Sequence, residues 1–194
     1  MGIREENRAR TFRAIQEAAL DLVEENGLDA TTVGDIAARV GIAERTFFRY
    51  YATKVDALMP GQRGLVEALV ERESAQTSAA GITADLLATS REVFACEVEQ
   101  RDFRRISRLL IREPELLRIV TGQEQDLVKS ISGELHERGA LPHLSALLVA
   151  EVVTAVWRVA WHSFARDDVA GLGPDPLALF DQTVRELGGL LPGA

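Results

Sequence analysis

The chain has 194 residues, 46% apolar and 27% charged, with a formal charge of −8 and a single cysteine. That balance suits one or two folded soluble domains and excludes a disordered chain. No run approaches ~18 uninterrupted apolar residues, and Met1-Gly2-Ile3-Arg4-Glu5-Glu6 lacks the apolar core of a secretion signal, so a cytoplasmic protein without a membrane span is expected.

Nearly every segment repeats its apolar residues at 3.6-residue spacing, and no sustained period-2 run occurs; the fold class expected is all-α, with about nine helices. The first helix is predicted over 5–26, with Phe12, Ile15, Ala19, Leu22 and Val23 on one face and Gly27 as its stop. Thr31 and Thr32 open a second helix, Thr32 and Asp35 having the spacing of a capping box. Gly41 turns the chain, and a short third helix is predicted over 44–50. A fourth begins near Lys54 and extends to about Ser78, with a kink or break near Met59 because Pro60 and Gly61 interrupt it. A break at 79–81 precedes a fifth helix over 84–100, and a sixth covers 103–112. Pro114 opens a seventh to Arg138, Pro142 an eighth to about Asp168, and Asp175 caps a last helix to about Leu187. The domain boundary is expected near Pro60: an N-terminal three-helix bundle over 1–58 and a helical C-terminal domain over 59–194.

Two short helices joined at Gly41 form a helix-turn-helix, the second sized for the ~12 Å major groove of DNA. Arg45 and Arg49 stand four apart on one face and offer forked donors to guanine edges or phosphates. Thr46 adds a small hydroxyl. Phe47 lies between the arginines and is expected to point inward. Lys54, beside the start of the fourth helix, is placed to attract a phosphate. Bulk charge is a weak objection: residues 1–60 hold 8 Lys/Arg against 10 Asp/Glu, but the arginines cluster, and attraction decays over about 8 Å at physiological salt.

The run Thr31-Thr32-Val33, Asp35-Ile36-Ala37, Gly41-Ile42, Arg45-Thr46-Phe47-Phe48-Arg49-Tyr50-Tyr51 and Lys54-Val55-Asp56-Ala57-Leu58 resembles the TetR/AcrR family of bacterial transcriptional regulators. The resemblance is dense from about Thr11 to Leu58 and architectural beyond. It implies that Thr32 and Lys54 hold phosphates, that Glu44, Arg45 and Arg49 approach base edges, and that Tyr50 meets the backbone. Phe48 stands where the family often has Tyr, and Ala43 where Ser is frequent, so a hydroxyl and a helix cap are missing. It also implies a ligand-binding and dimerisation domain, and a repressor released from operator DNA by a small molecule.

The partners expected are therefore double-stranded palindromic operator DNA, a small-molecule effector and a second copy of the chain. Leu144, Leu147, Leu148, Val152, Ala155, Val156 and Val159 give the eighth helix more apolar surface than one intrachain neighbour needs. With Leu177, Phe180, Val184 and Leu187 or Leu191 on the last helix, they suggest a homodimer seam. Met59, Leu65, Leu69, Leu87, Phe94, Leu109, Leu116, Val120, Trp157 and Trp161 are the lining expected for the effector, chosen for apolarity alone, so a largely apolar ligand is expected. Trp157, Trp161 and Phe164 share a helix face and form either a pocket wall, a seam or ordinary core. Arg104, Arg105 and Arg108 are expected on a solvated face, and Cys96 as a buried small hydrophobe. Glycine-rich phosphate loops, nucleophile elbows and nucleophile–base pairs are missing from the sequence, so no enzyme and no catalytic residue is expected. Scattered His136, His143 and His162 give no metal site, and no cofactor is expected. An activator, a ligand-independent regulator of the same fold or a helical interaction module is the alternative reading.

Overall fold

The computed structural model describes residues 2–59, 61–70 and 74–190. Among these there are ten helices and no strand. The chain divides into two compact units, Met1–Pro60 and Gly61–Ala194.

The first unit holds α1 (Ile3–Asn26), α2 (Val33–Val40), α3 (Glu44–Phe47) and α4 (Lys54–Leu58). Its core is the face of α1 carrying Ile15, Ala19, Leu22 and Val23, closed by Leu28, Ile36, Phe47, Val55 and Leu58. Helices α2 and α4 both start on a threonine. Thr32 Oγ1 accepts from the Asp35 amide at 3.1 Å, and Thr53 Oγ1 from the Asp56 amide at 3.1 Å. The threonine amides in turn donate to the aspartate carboxylates at 2.9 Å each, so both helices open on reciprocal capping boxes. The shorter Asp side chain suffices here in place of Glu. The third helix is shorter than expected: helix ends at Phe47, and 48–50 form a turn in which Tyr50 N donates to Phe47 O at 2.8 Å.

The expected fourth helix is instead two. Helix α4 stops at Leu58, the chain leaves helical geometry at Met59, and α5 runs Gly61–Val70. Pro60 itself lies outside the described residues, as do 71–73 and Leu191. The extension to Ser78 is corrected, since 74–78 are not helical. The expected break at 79–81 is corrected too: α6 (Ala79–Val98) starts there because Ser78 Oγ caps it, accepting from Gly81 N at 3.1 Å.

The second unit continues with α7 (Phe103–Arg112), α8 (Pro114–Glu137), α9 (His143–Val169) and α10 (Pro176–Leu190). Helix α9 is central, packing against α6, α7, α8 and α10. Its best 18-residue window has a mean hydropathy of 1.6, enough in length and composition for a bilayer, yet half of that window is buried against its neighbours, as in a core helix.

Phe94 anchors the interior, with ring centroids at 5.1 Å from Trp157, 5.4 Å from Phe180, 5.8 Å from Phe103 and 5.9 Å from Trp161. Trp157, Trp161 and Phe164 are thus core, and Trp161 Nε1 donates to Ser107 Oγ at 3.0 Å. With Phe94 pointing inward, Cys96 lies about 200° around the helix and is exposed, a correction to its expected burial. Arg104 and Arg108 are not simply solvated either. Both bond the carboxylate of buried Asp168, Arg108 Nε at 2.7 Å, and Arg104 also lies over the Phe164 ring. Burial alone would raise the Asp168 carboxyl, but the bonds from Arg108 and Arg104 outweigh it and hold it below the usual range.

Candidate nucleic-acid interface

The site is built around one buried ring. Phe47, fully buried, fixes the rotation of the short α3 against the first unit's core, and its neighbours on both sides turn outward as a consequence. Ala43, Glu44, Arg45, Phe48 and Arg49 are exposed, while Thr46 and Tyr50 are half-buried. Phe48 shows 54% of its surface to solvent and meets Phe47 edge-on, ring centroids 5.6 Å apart. About half of this large apolar side chain is thus open to a partner.

The turn before α3 needs Gly41, at φ 76°, a left-handed conformation that a side chain disfavours. Ile42 N then reaches Ala37 O at 2.9 Å and closes the end of α2. Gly34 fixes how closely α3 approaches the first turn of α2. A Cβ there would stand 3.0 Å from Glu44 Oε1 and 3.5 Å from Thr32 Oγ1, so Glu44 and Thr32 converge over Gly34.

Two expected phosphate ligands are engaged within the protein. Thr32 Oγ1 also lies 2.6 Å from Asp35 Oδ2, so its hydroxyl and amide protons both serve the capping box. The bonds from Thr32 hold the Asp35 carboxyl below its ordinary value. Lys54 Nζ donates to the carbonyl oxygens of Leu28 at 2.6 Å and Thr31 at 2.8 Å, tying α4 to the turn between α1 and α2. One of its three N–H donors is left for other partners.

Further contacts were not evident in the sequence. Arg39 pairs with Glu25 at 2.8 Å across 14 residues. Tyr51 donates from its hydroxyl to Phe12 O at 3.3 Å and stacks on the Phe12 ring at 4.6 Å, and burial raises its phenol well above the ordinary value. Phe12 belongs to the expected apolar face of α1, but its pairing with Tyr51 across 39 residues carries no local signal.

Residues 15–58 match the family model described as "Bacterial regulatory proteins, tetR family". The chain has the TetR-family regulator fold. A Bacillus subtilis relative, the HTH-type transcriptional regulator YvkB, is 27% identical over 124 residues. That match covers 62% of this chain and 61% of YvkB, so the chain spans less than two thirds of that relative's length. The structure of NalD, described as the secondary repressor of the MexAB-OprM multidrug efflux pump in Pseudomonas aeruginosa, aligns at TM-score 0.56 with 18% identity, covering 93% of this chain and 96% of NalD. SmeT, described as the repressor of the Stenotrophomonas maltophilia multidrug efflux pump SmeDEF, aligns at 0.58 with 15% identity and 94% of each chain. Members of the TetR family are transcriptional regulators rather than enzymes.

The expected effector lining divides between the units. Met59 belongs to the first, whereas Leu65, Leu69, Phe94, Leu109, Leu116, Val120, Trp157 and Trp161 are buried in the second and Leu87 is half-buried there.

Proposed function

We propose that the chain is a cytoplasmic, dimeric repressor that binds a palindromic operator through the α3 turn and leaves it when a largely apolar small molecule binds the second unit. The observation that carries this reading is the outward display of Arg45, Phe48 and Arg49 above a buried Phe47. Arginine forks suit guanine O6 and N7, an exposed apolar ring suits the thymine methyl, the Thr46 hydroxyl suits a base edge or the backbone, and Tyr50 suits the flanking backbone. Thr32, Ala43, Glu44 and Lys54 border this surface, with Lys54 acting chiefly by bracing the α1–α2 turn.

Dimerisation through α9 and α10 draws its support from an apolar stripe on α9; Val156 and Phe180, expected in the seam, are instead buried in the protomer's own core, Phe180 against Phe94. Leu144, Leu148 and Val159 are 68%, 58% and 48% exposed, and half-buried Val152 and Ala155 continue the same helix face. Patches of this kind on soluble proteins mark interaction surfaces, and a helix pair from each of two copies would cover it about a two-fold axis. Two heads related in this way would read half-sites about one helical turn apart, ~34 Å. An effector then acts by binding the DNA-free state more tightly than the bound one. NalD and SmeT, each described as a repressor of a multidrug efflux pump, lend the repressor reading support by likeness of fold.

The test is a gel shift with DNA flanking the protein's own gene. Arg45→Ala and Arg49→Ala are each expected to weaken specific binding by about 1–3 kcal/mol. Binding by both variants that stays as tight as the parent's at every salt concentration would remove these residues from the interface.

A further inference from the structure

Three buried side-chain oxygens lack a hydrogen-bond partner among the described residues: Glu97 Oε1 on α6, Gln123 Oε1 on α8 and Thr154 Oγ1 on α9. All three belong to the Gly61–Ala194 unit, and α6 and α8 both pack on α9. Folded interiors leave few polar groups unsatisfied, because an unmet buried acceptor costs more than an ordinary hydrogen bond contributes.

Glu97 is the sharpest case. Glu97 is half-buried as a residue, with Oε1 buried, whereas the fully buried carboxylates among the described residues of this unit pair with arginine: Glu124 with Arg158 at 3.0 Å, and Asp168 with Arg104 and Arg108. Helix register sets Glu97 apart from the exposed ties. Arg91 holds Asp181 of α10 at 2.6 Å, and Glu97 lies about 120° around α6 from it. It stands one turn beyond Phe94, on the side of the helix that Phe94 directs into the aromatic core with Trp157 and Trp161. Burial pushes its carboxyl up to about 7. A water molecule would satisfy an acceptor there without neutralising a carboxylate. A ligand that brings its own cation would do both.

We infer that the second unit takes an apolar molecule bearing a protonated amine, whose N–H groups are received by the Glu97 carboxylate. The inference rests on the effector reading above only for its regulatory meaning. It alters the ligand expected from apolar lining residues alone by adding one basic nitrogen to an apolar body. Binding ionises Glu97 and releases its proton, so the amine competes with protons below about pH 7.

The experiment uses the full chain and three probes with one apolar body: 4-phenylbutylamine, 4-phenylbutan-1-ol and 4-phenylbutyrate. The chain has two tryptophans, Trp157 and Trp161, so intrinsic fluorescence reports this unit. The amine is expected to bind at least roughly tenfold tighter than either companion, and to lose up to about tenfold in affinity per pH unit below 7. In Glu97→Gln both the preference and the pH slope disappear, while the thermal midpoint at pH 8 equals or exceeds the parent's because a buried charge is gone. Equal affinity for the three probes, no binding of any, or an amine preference that survives in Glu97→Gln overturns the inference. Should the variant fail to fold, a flat pH profile in the parent overturns it equally. The two readings part cleanly in a gel shift with the amine present. Glu97-dependent amine binding that leaves DNA bound sinks the effector reading and keeps the amine site, and DNA release by the alcohol without the Glu97 preference does the reverse.

Discussion

The two units hold themselves together over different distances along the chain. In the first, the ties that cap α2 and α4 and close the end of α2 are short, Thr32 with Asp35, Thr53 with Asp56 and Ile42 with Ala37, each within five residues, while Arg39–Glu25, Lys54–Leu28 and Tyr51–Phe12 reach 14, 26 and 39. In the second, the defining ties run over 54 to 90 residues. Arg91 reaches Asp181 across 90 residues, Arg104 and Arg108 reach Asp168 across 64 and 60, and Trp161 reaches Ser107 across 54. A surface made by local rules keeps its form when distant residues drift, which suits a head that must match a fixed groove spacing. A body made by long-range contacts can change its interior from one relative to the next. The family model covers 15–58, within the first unit, while the likeness to YvkB runs over 124 residues.

The hardest blow to the second unit should come from its aromatic centre. Phe94→Ala removes a ring that touches four others, and the expected loss is about 3–5 kcal/mol. Urea unfolding followed by tryptophan fluorescence measures it. A loss under about 1 kcal/mol would mean that the interior repacks freely, and that the body is no more constrained than a local assembly.

Next in size is the carboxylate clamp. Replacing both Arg104 and Arg108 by Ala strands Asp168 in the interior, at an expected cost of about 3–5 kcal/mol, whereas Asp168→Asn leaves two half-exposed arginines and costs less. The pH dependence has a definite sign. The Asp168 carboxyl is depressed in the fold, so its contribution is present above the unfolded value near 4 and disappears as pH falls through the lower folded value. Chemical denaturation from pH 7 to pH 2 tests this: the gap in stability between the parent and the arginine double variant should close toward acid pH. A gap independent of pH would assign the clamp's contribution to side-chain packing, including Arg104 over Phe164.

This division also decides what the sequence revealed. Helix starts at Thr32 and Pro114, the turn at Gly41, the break before α5 and the inward Phe47 each follow from residues within a turn or two, and were legible. The exposed members of the candidate site, Arg45, Phe48 and Arg49, were legible for the same reason. Lys54 was read as a phosphate ligand because a cation beside a helix start suggests one; its carbonyl partners at Leu28 and Thr31 lie 26 and 23 residues away. The same blindness hid the partner of Arg104 and the isolation of Glu97. Cys96 was misplaced for a different reason. Apolar neighbours in sequence do not fix which side of a helix faces inward, and Phe94 had the stronger claim.

The smallest expected effect is the most direct check on local construction. Thr32→Ala removes the hydroxyl that receives the Asp35 amide, and a lost N-cap of this kind costs about 0.5–2 kcal/mol. Thr53→Ala should behave alike at α4, where the Asp56 amide loses its acceptor. The two caps share no partner, so their costs should add to within a few tenths of a kcal/mol in the double variant. Thr32→Ala carries a second consequence that Thr53→Ala does not. Thr32 Oγ1 lies beside Gly34, where Glu44 from α3 also arrives, so fraying of the first turn of α2 moves the base of the reading surface. Specific DNA affinity should therefore fall in Thr32→Ala at temperatures well below its unfolding midpoint, and stay near the parent's in Thr53→Ala. Equal DNA affinity in the two variants, measured by fluorescence anisotropy at one salt concentration, would show that the α2 cap supports the fold without steering the surface above it.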